Sequence, residues 1–431
     1  MDERPRKSLV VPSSLEDLQA ILDDYNNQVN DPAYGEISAD DYFLTTSDWK
    51  SISNEGYRRA YVWEKDYLFG TGTATDWLDV YRNVYAANTV LEKIEEIEYE
   101  TKDNKKWNDI KGQAFFLRAR SFLSIASIWT SAYDSKSAKE TLGIPLRMDP
   151  DFNKPSKRSS LEETYSVIIG DLKNAESLLP INPIHPTRAS KPAALALLAR
   201  TYLFMRNYEK CWIAANECLE LKNDLIDYNE LEATDSYPIP QFNEEVIYVS
   251  HIATPAPINP SRAKIDSTLY NLYHDYDRRK KMFFQDNLDS TFGFKGSYQG
   301  NITLFSGLAT DEVYLMRAEC ALRKGEINEA LEDLNTLLKM RLDSQAEGAE
   351  TLSIYDSDAL LDRILLERRK ELLMRGIRWP DIKRLNLEGR NIILKRKIED
   401  QIIELLPNDP RYALPIPEQI IGLTDMEQNP R

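Results

Sequence analysis

The chain has 431 residues, 42% of them hydrophobic, and 70 acidic against 54 basic side chains give a formal charge of −16. That length allows one large domain or two to three smaller ones around a sizeable core. The acidic excess excludes a phosphate backbone as partner, and no run of about 18 apolar residues offers a membrane span.

Ser13-Ser14 precede Leu15, Leu18, Ile21, Leu22 and Tyr25, a capped helix with one apolar face over 13–27. From Asp31 to Asp76 the helical period disappears. Gly35, Gly56, Gly70 and Gly72 punctuate this segment, which is dense in aromatics, among them Trp49, Tyr57 and Trp63. So long an irregular stretch is expected to be functional. Long helices follow over 77–99 and 105–131, with Gly112, Ala114, Ala119 and Ala126 permitting close approach. A proline-containing excursion fills 132–160. A third helix over 161–179 ends at Pro180.

Two segments then repeat one plan. In the first, Ala194 to Cys218, Ala199 and Cys211 lie twelve apart. In the second, Leu315 to Leu337, Ala318 and Ala330 lie twelve apart, with Gly325 at the turn. Small residues at this spacing resemble the helical hairpin of the tetratricopeptide repeat. Cys211 and Cys218 then have packing roles: on one helix their Cα atoms stand roughly 10 Å apart, beyond disulfide reach. Cys320 reads likewise as a buried small residue.

Between the repeats, 223–308 is irregular, because Pro238, Pro240, Pro255, Pro257 and Pro260 forbid long helices. Glu245 to Val249 reads as a short strand, 266–285 as partly helical, and Lys295 to Leu304 as a loop or hairpin. Ile364, Leu365, Arg368, Leu372 and Leu373 predict an amphipathic helix over 357–375, ended by Gly376. A second helix is expected near Asp381, past Pro380. Taken alone, the charge block Glu367 to Glu371 reads as a solvated face. The tail from Pro407 reads as extended, pinned by Leu414, Ile416, Ile420 and Ile421.

Signals for catalysis are weak. His185, His251 and His274 show no zinc spacing, and no nucleophile elbow or phosphate loop occurs. Asp40-Asp41 read as solvated loop acids rather than half of a glycosidase pair. Asp286, Asn287 and Asp289 lack the glycine and closing Glu of a calcium loop. No cofactor or metal is expected. Trp63 and Trp77 read as core. Binding signals are stronger: sugars stack on aromatic rings and hydrogen-bond to Asp, Asn and Arg.

The order Glu367, Arg368, Glu371, Gly376, Arg378, Trp379, Asp381, Arg384 resembles the C-terminal signature of the SusD/RagB family of outer-membrane nutrient-binding lipoproteins. Arg375 stands where the family has Glu. Four further groups fit in sequence: Trp77, Tyr81, Asn88 and Ile94; Lys111 to Ala114 with Arg118-Ala119; Tyr165, Asp171-Leu172, Ala175 and Leu179-Pro180; and Leu414 to Glu418 with Gln428 to Pro430. The resemblance implies one mainly α, SusD-like domain over 1–431. Its helical-repeat scaffold spans about 77–222 and 309–385, its loop-rich ligand lobe 31–76 and 223–308, and its extended tail 407–431.

The resemblance also implies a non-enzymatic cell-surface lipoprotein that delivers an oligosaccharide to a SusC-like TonB-dependent transporter. On that reading the chain begins just past a lipidated cysteine. The ligand contacts expected are Asp41, Trp49, Asn54, Tyr57, Arg262, Tyr298 and Asn301. Alternatives are a peptide-binding RagB-like member, an intracellular tetratricopeptide scaffold and a glycan hydrolase.

Overall fold

The computed structural model describes residues 12–24, 29–69, 75–97, 104–347 and 351–431. Tyr25, Gly70, Gly72 and the last two residues of the helix expected over 77–99 lie outside them. Helix α1 is Leu15–Leu22. Three short helices follow, α2 Tyr34–Ser38, α3 Thr46–Ser51 and α4 Glu55–Tyr61. The long pair is α5 Thr75–Lys93 and α6 Asn104–Trp129, and α7 is Leu161–Leu178.

Gly112 lets α6 approach the end of α7. A Cβ there would lie 2.9 Å from Leu179 Cγ. Deeper in the same interface, Arg118 donates to both oxygens of Asp171 at 2.7 Å and to Asn88 Oδ1 at 2.9 Å. One buried guanidinium therefore ties α5, α6 and α7 together.

The repeat segments form two hairpins, α8 Lys191–Phe204 with α9 Tyr208–Leu221, and α12 Thr310–Arg323 with α13 Ile327–Lys339. Ala199, Cys211, Ala318 and Ala330 are fully buried. The hairpins stack directly. Arg317 of α12 pairs with Asp333 of α13 at 2.7 Å and donates to Asn216 of α9 at 2.8 Å. All three cysteines are buried free thiols.

The excursion over 31–76 is not continuously irregular, since it contains α2, α3 and α4. Helices of one or two turns are too short to show a period, but their caps are present. Thr45 and Asn54 side chains accept from the amides of Asp48 and Tyr57. The second excursion contributes α10 Ser267–Tyr270, α11 Arg279–Phe283 and short strands. Strand β1 Asn30–Asp31 runs parallel to β3 His251–Ile252, and β2 Tyr42–Phe43 pairs antiparallel with β4 Lys264–Ile265. The two excursions are thus hydrogen-bonded to each other.

The C-terminal signature forms α14 Ser357–Glu371 and α15 Arg378–Leu387. Gly376 lies between them at φ +74°, a conformation glycine adopts cheaply. α15 begins three residues before the expected Asp381. Pro380 sits in its first turn, where a missing N–H costs nothing.

The charge block is not a solvated face: Glu367, Arg368, Lys370 and Glu371 are all buried. Glu371 accepts from Arg279 Nη1 at 2.9 Å and from Arg341 Nε at 2.7 Å. Arg384 pairs with Glu319 at 2.7 Å and Arg368 with Asp381 at 2.8 Å. Arg375, the departure from the family pattern, donates to Asp311 at 3.0 Å. Asp40 and Asp41 are likewise not solvated; Arg378 and Arg369 hold them at 2.7 and 2.9 Å.

A hairpin that the sequence did not announce, β5 Leu394–Ile398 with β6 Gln401–Leu405, packs on the first excursion. The tail carries a 3-10 turn, Pro410–Tyr412, and a short helix, Glu418–Leu423, and is otherwise irregular. Asn429 pins it by donating to Trp129 O at 2.7 Å and Leu414 O at 2.6 Å.

Candidate functional site

Where the excursions meet, a groove of about 420 Å³ opens between α4, the start of α5 and the 253–255 loop. Its walls are Asn30, Asp31, Pro32, Ala33, Tyr57 and, from α5, Asp76, Asp79 and Val80; Ala253, Thr254 and Pro255 close it. Tyr57 is half-buried, backed by the Tyr34 ring at 5.6 Å. Tyr34 is itself fixed by donating to Leu68 O at 2.9 Å. Among the described residues nothing hydrogen-bonds the Tyr57 hydroxyl, so one ring face and one hydroxyl are open to a ligand.

The carboxylates differ in how they are held. Asp31 accepts from Arg120 at 2.8 Å and from the Ser250 and Ser306 hydroxyls at 2.8 and 2.6 Å. Asp79 pairs with Arg82 on the surface. Asp76 accepts from the amides of Ala33 at 2.6 Å and Tyr34 at 3.4 Å. Burial pushes its carboxyl up to about 6, against those two N–H groups. Burial, and then the Asp76 charge, raise the Tyr57 phenol.

The 253–262 loop leads from this groove to a second aromatic position. Trp49 of α3 is half-buried and donates its indole N–H to Arg58 O at 3.0 Å. Arg262 reaches Ser51, at the end of α3, at 3.3 Å. Asn54 is exposed between α3 and α4 as the cap of α4, accepting from Tyr57 N at 3.2 Å.

Four of the seven expected contacts, Trp49, Asn54, Tyr57 and Arg262, thus occupy one surface around α3 and α4. The other three do not. Tyr298 is 1% exposed; its hydroxyl donates to Glu245 at 2.5 Å and its ring lies beneath the Arg375 guanidinium. Asp41, also 1% exposed, is consumed by Arg369. Both are corrections, because a side chain closed off by an ion pair or a buried network has no face for a sugar. Asn301 is exposed, but its side chain closes its own turn, accepting from Thr303 N at 2.7 Å and donating to Gln299 O at 3.0 Å. Trp63 and Trp77 are core. The polar groove residues that the sequence reading missed are Asn30, Asp31, Asp76, Asp79 and Thr254. Asp76 sits in the first turn of α5, one residue before that helix's expected start.

A wider depression of about 850 Å³ lies between α1, the start of α6 and the end of α7. It is lined by Lys106, Asp109, Ile184, Arg188 and other long or aliphatic side chains, without an aromatic ring.

Comparison with known proteins decides the family. A profile described as "Starch-binding associating with outer membrane" matches residues 1–203, and one described as "SusD family" matches 308–431. The chain belongs to the SusD family. The unmatched part, 204–307, includes the 253–262 loop. A curated relative, SusD-like protein P38 of Formosa agariphila, is 24% identical over 381 residues, 72% of each chain.

Solved structures share the fold of this SusD-family chain. A SusD superfamily protein from Bacteroides thetaiotaomicron gives a TM-score of 0.78 at 24% identity, covering 97% of this chain and all of its own. A SusD-like carbohydrate binding protein from Bacteroides vulgatus gives 0.72 at 22% identity, covering 96% and 97%. Among the described residues no helix is long and apolar enough to cross a membrane.

Proposed function

We propose that this chain is a non-catalytic cell-surface protein of an outer membrane that captures an oligosaccharide in the groove between the excursions. It hands the ligand to a SusC-like TonB-dependent transporter. On this account the lobe from 31–76 and 223–308 binds the nutrient, and the helical-repeat scaffold over 77–222 and 309–385 supplies the surface for the transporter.

The observation that carries the reading is the groove itself. It has an open aromatic face at Tyr57, unsatisfied hydroxyl and carboxylate lone pairs beside it, and Trp49 with Arg262 at the far end of the same loop. A pyranose presents an apolar face and a rim of hydroxyls, and this combination matches both. The likeness to the SusD-like carbohydrate binding protein from Bacteroides vulgatus supports the same ligand class.

Asp40 and Asp41, the acid pair weighed for glycosidase chemistry, are taken up in ion pairs with Arg378 and Arg369. Calorimetric titration against neutral oligosaccharides, with a reducing-end assay on the same mixtures, tests the proposal. Binding without release of new reducing ends is expected. Turnover would contradict the non-catalytic part, and absence of binding across the panel would contradict the ligand class.

A further inference from the structure

The groove carries a charge pattern that bears on which sugars it accepts. Its polar walls hold three carboxylates, Asp31, Asp76 and Asp79, and its lining contains no lysine, arginine or histidine. Asp31 and Asp79 each have a guanidinium, from Arg120 and Arg82. Asp76 does not: its compensation is two backbone amides, and among the described residues no basic side chain forms an ion pair with it. It lines the same groove as Tyr57, close enough for its charge to raise the Tyr57 phenol after burial has done so.

Resting on the sugar-binding reading above, we propose that the groove selects uncharged or ammonium-bearing sugars and rejects uronates and sulfated sugars. A carboxylate or sulfate stacked on Tyr57 would stand beside Asp76 in a partly desolvated site, where like charges repel far more than in water. A neutral ring instead offers hydroxyl donors to the Asp76 and Asp79 oxygens, and charge-assisted hydrogen bonds of that kind are the stronger ones. An ammonium on the ring would give Asp76 the cation it lacks. The chain's net charge of −16 acts in the same direction at longer range, slowing the approach of a polyanion. Arg262 sits on Ser51 at the end of α3 and lines no part of the groove.

The test compares matched probes that differ in charge. Maltohexaose and cellohexaose are titrated beside their C6-oxidised forms, which carry a carboxylate on each ring. The N-acetylglucosamine hexamer is titrated beside its deacetylated form, which carries ammonium groups. All six are measured at low and high salt with the parent protein and with Asp76→Asn, whose amide oxygen keeps the Ala33 and Tyr34 hydrogen bonds. The tightest probe is expected to be neutral or ammonium-bearing. Each oxidised probe should bind tenfold or more weakly than its parent sugar at low salt, with the ratio shrinking in salt and in Asp76→Asn. An oxidised probe that binds as well as its neutral parent would overturn the charge selection while leaving sugar binding intact. So would a neutral-to-oxidised ratio unchanged by Asp76→Asn. If no probe of any charge binds, the sugar-binding reading of the groove falls and this inference falls with it.

Discussion

Arg279 is fully buried and is surrounded by three carboxylates, Asp277, Glu367 and Glu371, at 2.8, 2.5 and 2.9 Å. Burial alone would raise the Asp277 carboxyl. The guanidinium and the Lys370 ammonium outweigh that and hold it at about 2. A buried pair is weak grounds for stability as such, but removing one member leaves the others charged and unpaired. Arg279→Ala is therefore expected to cost about 3–5 kcal/mol, read as a lowered urea midpoint; a loss under about 1 kcal/mol would mean water replaces the guanidinium.

Glu36 presents the opposite case. Burial, and then the neighbouring Asp41, raise its carboxyl from 4.5 to about 8, and among the described residues one of its oxygens has no hydrogen-bond partner. Between those values the folded state keeps a proton that the unfolded state has released. Stability therefore falls as pH rises through that window. Glu36→Gln should flatten the profile of urea midpoint against pH there, and parallel profiles for parent and variant would refute the assignment. None of these roles is visible from single positions. The block at 367–371 looks solvated because its partners are Arg279, Arg341 and Asp381, which only the fold brings near. Tyr298 looked like a surface ring for the same reason: Glu245 and Arg375 come from distant segments.

At the scale of elements, the sequence was most informative where a period had room to repeat. Ala199 and Cys211, then Ala318 and Ala330, mark the crossings of both hairpins because only small side chains fit there. α2 to α4 have five to seven residues each, and too few turns to show a stripe. The β5–β6 hairpin was hidden by one of its inward residues, an arginine between Leu394 and Ile398. Arg396 lies 4.1 Å from the Tyr61 ring and 5.0 Å from that of Tyr42, and it donates to Tyr42 O at 2.6 Å and to Ala39 O. Its charge is balanced by carbonyl dipoles and π faces, a combination that pattern reading takes for a surface residue. Since those partners come from the first excursion, Arg396 clamps the hairpin to the segment that carries Trp49 and Tyr57. Arg396→Ala should destabilise the fold by about 2–4 kcal/mol and speed amide exchange in 394–405 and 55–61 together. Faster exchange in the hairpin alone would show that the clamp does not reach the groove.

For the whole molecule, the scaffold and the pairing of the excursions follow from alanine spacing and the family signature. The ligand contacts do not, because the groove is made of residues from four separate segments. Trp49, Asn54, Tyr57 and Arg262 came together; Asp41 and Tyr298 were absorbed by the core. Tyr57→Ala should weaken oligosaccharide binding by about 1–3 kcal/mol, as loss of a stacking anchor does. The urea midpoint should change far less than in Arg279→Ala, because the ring is half-exposed. A variant that binds as tightly as its parent would move the site away from α4.

The most direct test of the groove as the ligand site is hydrogen–deuterium exchange with and without a saturating oligosaccharide identified by titration. The account predicts slowed exchange in 55–61, 76–80 and 253–258, with the helical hairpins unchanged. Protection confined to α1, the start of α6 and 178–188, around the wider depression, would contradict it.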